Sequence, residues 1–140
     1  MQYKKILLPV DDSAYSLAAA DHAIGLAKMA GASIVLLHCR KNVPTFLGEP
    51  NSQELLDKLT AEAERVLDVY RPSLKAWGGA YEELVVGGNP AEVIADVARI
   101  EKCDCIVMGS KGKSDFEGLL VGSVTHKVLH LAKCPLLVVR

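Results

Sequence analysis

A cationic surplus is the first thing this sequence lacks. Sixteen Lys and Arg are set against seventeen Asp and Glu, giving a formal net charge of −1. A broad nucleic-acid or acidic-membrane footprint needs a basic excess, so neither partner is expected. No apolar run approaches the roughly 20 residues that span a bilayer. The stretch Met1–Val10 is too short for a signal peptide core, and Asp11-Asp12 stand where a small-residue cleavage site belongs. It reads as a first strand, and the chain as cytoplasmic. None of the four cysteines, Cys39, Cys103, Cys105 and Cys134, forms a Cys-x-x-Cys pair. Buried reduced thiols are expected, not disulfides or zinc.

Several catalytic signatures are missing too. There is no Gly-x-Ser-x-Gly elbow. His126 and His130 are one helical turn apart, but Lys127 stands where a zinc protease needs Glu. Gly112-Lys113-Ser114 ends like a Walker A loop, yet Val107 occupies the position of its first glycine. The acidic pair Asp11-Asp12 suits a phosphorylation receiver, but the third strand-like run, Tyr81–Val86, ends in Val86-Gly87 without the needed Asp, and Lys133 precedes the fifth, Pro135–Val139, at the wrong end for a receiver's lysine. No general base aimed at a γ-phosphate is legible, so fast ATP hydrolysis is not expected. His38 and Trp77 read as a structural hydrogen-bonding residue and a packing anchor.

What is present is a regular alternation. The 140 residues suit a single domain, 1–140. Apolar runs at Tyr3–Val10, Ile34–Leu37, Tyr81–Val86, Cys105–Met108 and Pro135–Val139 read as strands. Helical spacing separates them. Ala14, Leu17, Ala20, Ile24 and Ala27 form a first face, capped by Asp12 or Ser13 and stopped by Gly31. Leu55, Leu59, Ala63, Val66 and Tyr70 form a second, opened by an Asn51–Glu54 capping box and ended by Pro72. Asn89-Pro90-Ala91-Glu92 opens a third helix carrying Ile94, Val97 and Ile100. Gly122–Ala132 is a fourth, with Val124, Val128 and Leu131 on one side. Continuous apolar strands imply a sheet covered on both faces. The fold expected is α/β, a doubly wound five-stranded parallel sheet in the order 3-2-1-4-5.

That order reverses between strands 1 and 4, where ligands of such sheets bind. The carboxyl ends there are Pro9-Val10-Asp11 and Met108-Gly109, and a glycine-rich loop leaves strand 4 at the same spot. Gly109 and Gly112 would let backbone approach a bound group and adopt positive φ. Gly122-Ser123 opens helix 4, whose free N–H groups attract anions. The helix dipole adds only about 0.3–1 kcal/mol, so several amides and the Ser123 and Thr125 hydroxyls are needed for a phosphate chain. Lys111 and Lys113 add charge. Asp11 suits either Mg²⁺ through water or the capping of helix 1, and the residues alone do not separate these roles.

The loop spacing resembles the nucleotide-binding branch of the universal stress protein family. Gly109, two residues, Gly112, nine residues and then Gly122-Ser123 match its pattern without a gap. Lys5–Ser13, Leu36-Leu37-His38, Val86–Pro90 and Pro135–Val139 are similar to the family elsewhere, so the resemblance covers the whole chain. It implies ATP as ligand, carried with Mg²⁺. Pro9, Val10 and Asp11 would line the adenine and ribose end, and Cys39 would sit by the adenine where the family often has Val. Met108 and Gly109 would touch ribose and phosphates. Gly112, Gly122, Ser123, Val124 and Thr125 would wrap the phosphates. The resemblance also implies a homodimer paired through the apolar edge strand 136–139. The function it points to is nucleotide-dependent regulation of an unidentified protein partner in a stress response. The alternative is a slow ATPase or self-phosphorylating enzyme with Ser123 or Thr125 as acceptor.

Overall fold

The computed structural model describes residues 1–140. Its strands are β1 (Lys5–Pro9), β2 (Ser33–Arg40), β3 (Tyr81–Gly87), β4 (Cys105–Gly109) and β5 (Leu136–Val139). Its helices are α1 (Ala14–Ala30), α2 (Asn51–Trp77), α3 (Pro90–Ile100) and α4 (Ser123–Leu131). The sheet is wholly parallel in the order β3-β2-β1-β4-β5, as the alternation of elements predicts.

Strand periodicity divides the core in two. Ile6, Leu8, Ile34, Leu36, Cys105 and Val107 point to one face, under α1 and α2. Leu7, Val35, Leu37, Ile106 and Met108 point to the other, under α3 and α4. Each central strand therefore needs apolar side chains at every position, which is why β1, β2 and β4 read as unbroken runs. The edge strand β3 is different. Glu82 and Val85 are exposed and no residue of the strand is fully buried, so it lacks the two-sided burial of the central strands.

The helices depart from the expected patterns in instructive ways. Pro72 does not end α2, which continues to Trp77 and stops at Gly78 in the left-handed conformation (φ 76°). An interior proline costs about 3 kcal/mol. The continuation buries Leu74 against the sheet to 1 % exposure, and a buried Leu contributes about 1.5–3 kcal/mol. The Asn51 capping box does not form either. Asn51 is already helical, and the carbonyls of Gly48 and Pro50 accept the amides of Ser52 and Glu54. On α1 the buried face is Ser16, Ala19, Ala20, Ala23, Ile24 and Ala27, so Ala14 and Leu17 face outward. Small side chains on this face let α1 lie close to the sheet. Ile100 and Leu131 are likewise outside the core. Of the two candidate caps of α1, Ser13 serves, accepting from the Ser16 amide at 3.1 Å. Gly31 ends the helix at φ 67°, and Asn89 caps α3 as its sequence predicts.

All four cysteines are free thiols, but only Cys103 and Cys105 are buried as expected, while Cys39 and Cys134 are half-buried. Trp77 packs on the edge of the α1/α2 core, its ring held against Gly79. No helix is long and apolar enough to cross a membrane.

Candidate functional site

The crevice at the carboxyl ends of β1 and β4 has a volume of about 240 Å³. Its two ends differ in chemistry. Val10, Leu37, Cys39, Pro90, Ile94 and Met108 form an apolar slot between β2 and α3. Asp11, the loop residues 111–115 and Ser123 form a polar end under the N-terminus of α4. Cys39 belongs to the apolar end in its charge state as well as its place. Burial pushes its thiol up to about 12, so it is neutral at pH 7.

Every residue expected at the site lines this crevice except Gly122, which is buried behind the loop. The Gly122 amide donates to the Ser110 carbonyl at 2.6 Å and so closes the base of the loop instead of pointing at a ligand. Thr125 is also a brace. Its hydroxyl donates to the Gly109 carbonyl at 2.8 Å and is buried to 3 % exposure. Of the two hydroxyls considered as phosphate acceptors, Ser123 alone is exposed.

The glycines are needed for space, not for left-handed backbone. Positive φ is found at Gly31, Gly48, Gly78 and Gly88, and not at Gly109, Gly112 or Gly122. A Cβ on Gly109 would lie 2.8 Å from the backbone carbon of Tyr15, so the missing side chain makes room for α1. A Cβ on Gly112 would face Asp11 Oδ2 at 3.2 Å, and one on Gly122 would fall 2.1 Å from Asp115 Oδ2.

Asp115 was not singled out by the sequence. Its carboxylate accepts from the Gly112 amide at 2.6 Å, the Ser123 amide at 3.3 Å and the Ser123 hydroxyl at 3.2 Å. The Gly112 bond is the strongest of the influences that hold this carboxyl below the usual range. The legible signal was an acidic side chain between two glycine anchors, a local chain-to-backbone bond of the Asx kind. Ser16, Pro90 and Ile94 also line the crevice, and they carried no signal as site residues in one dimension.

The lysines are already engaged. Lys113 Nζ pairs with Asp12 at 2.7 Å, an exposed and solvent-screened bridge. Lys111 Nζ donates to the Glu117 carbonyl at 3.0 Å and lies 5.0 Å from the centre of the Tyr15 ring. Asp11 does not cap α1. Its Oδ1 accepts from the Ser13 amide at 2.8 Å, while Oδ2 faces the loop, 3.4 Å from the Lys113 amide. No group of three or more His, Cys, Asp or Glu side chains is arranged to hold a metal ion. The donor set therefore does not suit a resident metal cage.

Three further bonds set the height of this floor. His38 Nδ1 donates to the Val10 carbonyl at 3.1 Å. The Tyr70 hydroxyl bridges from α2 to the Asp11 carbonyl and to Ser16 Oγ. Burial pushes Tyr70 up to about 12, and it pushes Cys103 up to about 12 as well. These groups keep their protons longer when folded. Stability they contribute is complete below the ordinary thiol and phenol pKa values and falls as pH rises from about 9 towards 12, by up to about 1.4 kcal/mol per pH unit per group. The urea midpoint is expected to drop between pH 8 and pH 10.5, and Cys103→Ala should flatten that drop. A midpoint independent of pH over this range would show that the buried thiols and phenol titrate normally.

Comparison with known proteins places the sequence and the fold. The sequence model of the universal stress protein family matches residues 2–140. A universal stress protein of Thermus aquaticus is 39 % identical over 140 residues, covering 99 % of each chain. The solved structure of MJ0577 of Methanocaldococcus jannaschii superposes with a TM-score of 0.89 at 34 % identity, covering 99 % of this chain and 96 % of that one. A universal stress protein solved in complex with cAMP gives a TM-score of 0.76 at 26 % identity, covering 100 % and 98 %. Matched from end to end in sequence and in sheet order, the chain belongs to the universal stress protein family.

Proposed function

We propose that this protein binds an adenine nucleotide, ATP carried with Mg²⁺, in the crevice between β1 and β4. The observation that carries the reading is the division of that crevice into an apolar slot and a polar, glycine-bounded end. The slot suits a planar base and the polar end suits phosphates. In this reading Pro9, Val10 and Cys39 face the adenine, Met108 and Gly109 the ribose, and Gly112, Ser123 and Val124 the phosphates, with Thr125 and Gly122 bracing the loop. The complex of a relative with cAMP supports an adenine compound as the ligand class.

Occupancy acts as a regulatory signal, biasing the choice of protein partner or the dimer state. The edge strand β5 supports the second route, since Leu137 is 41 % exposed on a four-residue apolar strand. A slower enzymatic reading has one observation behind it. The Ser123 hydroxyl donates to Asp115 at 3.2 Å, a nucleophile beside a carboxylate. That carboxyl is held well ionised by the Gly112 amide and is a weak base, so turnover at this site is slow.

The nucleotide content of freshly purified protein, denatured and run on ion exchange, tests the proposal. Stoichiometric ATP is the expected result. ADP alone would move the reading towards hydrolysis. No nucleotide, with no ATP binding by titration, would end it.

A further inference from the structure

The three donors around Asp115 are a glycine amide, the first amide of a helix and a serine hydroxyl. These are the groups that cradle a phosphate. The carboxylate also fills the space that the absent side chain of Gly122 leaves open, 2.1 Å from where a Cβ there would lie. Its charge persists at neutral pH, since the Gly112 bond lowers its pKa. The anion position of the loop is thus taken by an anion of the chain itself. A phosphate and this carboxylate compete for the same donors, and like charges do not share them.

We propose that Asp115 is an internal stand-in for the ligand's phosphate and sets which adenine compounds the crevice accepts. This rests on the nucleotide reading above. A compound without phosphate enters the apolar slot with Asp115 in place. A nucleotide polyphosphate binds only by expelling it. The loop is built to permit this. Gly122 stays anchored to Ser110 and Thr125 to Gly109, so the base of the loop is fixed. Between those anchors residues 116–121 are all exposed, with Phe116 and Leu120 each 76 % exposed. Few packed contacts oppose an outward swing of that segment. The exchange gives the protein a loop with two arrangements, one closed on Asp115 and one closed on phosphate.

The test is calorimetric titration of nucleotide-stripped protein with ATP and with adenosine, in the presence of Mg²⁺ and again in EDTA. Asp115→Asn keeps the side chain's shape and removes its charge, and Asp115→Ala removes both. Circular dichroism checks that each folds. The ratio of ATP affinity to adenosine affinity is expected to rise about tenfold in both variants, because a charge-assisted competitor has been weakened or removed. Adenosine affinity should stay within about twofold. An unchanged or lower ratio, with wild-type protein binding ATP, would overturn the proposal and leave Asp115 as a brace of the loop. Failure of the wild type and both variants to bind either compound would overturn the nucleotide reading itself, and this inference with it.

Discussion

Gly122→Ala should weaken ATP binding by about ten- to 100-fold while the protein stays folded. The new methyl group would sit 2.1 Å from Asp115 Oδ2 and 3.0 Å from the Lys111 Cα. The carboxylate can rotate away, but the methyl then fills the volume that a phosphate oxygen needs. One charge-assisted hydrogen bond, to the Gly112 or the Ser123 amide, is lost, at about 1.5–3 kcal/mol, and every 1.4 kcal/mol is tenfold in affinity. The two substitutions at this spot therefore act in opposite directions. Asp115→Asn removes only charge and favours ATP, whereas Gly122→Ala removes space and disfavours it. Titration of both with ATP reads the contrast. Normal ATP affinity in Gly122→Ala would mean that phosphate does not approach this part of the loop.

Gly109→Ala should lower the folding stability by about 1–3 kcal/mol, the usual cost of forcing an extra methyl into a packed interior. Its Cβ would lie 2.8 Å from both the backbone carbon and the Cβ of Tyr15 and 3.0 Å from the Tyr15 carbonyl oxygen. Helix backbone does not rotate out of the way as a side chain does, so α1 must shift off the sheet. Gly112→Ala is the matched control. Its Cβ meets only carboxylate ends, Asp11 Oδ2 at 3.2 Å and Asp115 Oδ2 at 3.5 Å, which can move. Urea unfolding at neutral pH should show a lower midpoint for the first variant and little change for the second. Equal midpoints would show that α1 accommodates the methyl freely.

The pair shows where reading the loop as a string of letters stops. Gly109, Gly112 and Gly122 stand in one spaced motif, and sequence assigns them a single purpose. In the folded chain they serve three. Gly109 admits α1, Gly112 offers an amide, and Gly122 leaves room for an anion while its own amide ties down Ser110. Thr125 shows the same limit, since its buried hydroxyl holds the Gly109 carbonyl at 2.8 Å. Pro72 is a case in which a strong local rule lost to tertiary packing, because ending α2 there would have left Leu74 unburied.

Local chemistry by itself determined the element order and the sheet. Unbroken apolar runs at β1, β2 and β4 can be satisfied only by burial on both faces, and right-handed crossovers then leave one economical strand order. The position of the crevice followed from that order, because the switch between β1 and β4 is a property of topology. What only the tertiary structure decided is which polar groups meet inside it. Asp115 reaches the amide at the start of α4, Tyr70 comes across from α2 to Asp11, and Pro90 and Ile94 close the slot from α3. Those encounters join residues tens of positions apart or across an irregular loop. No periodicity records them, since they depend on how closely helices approach the sheet, and that distance is set by packing.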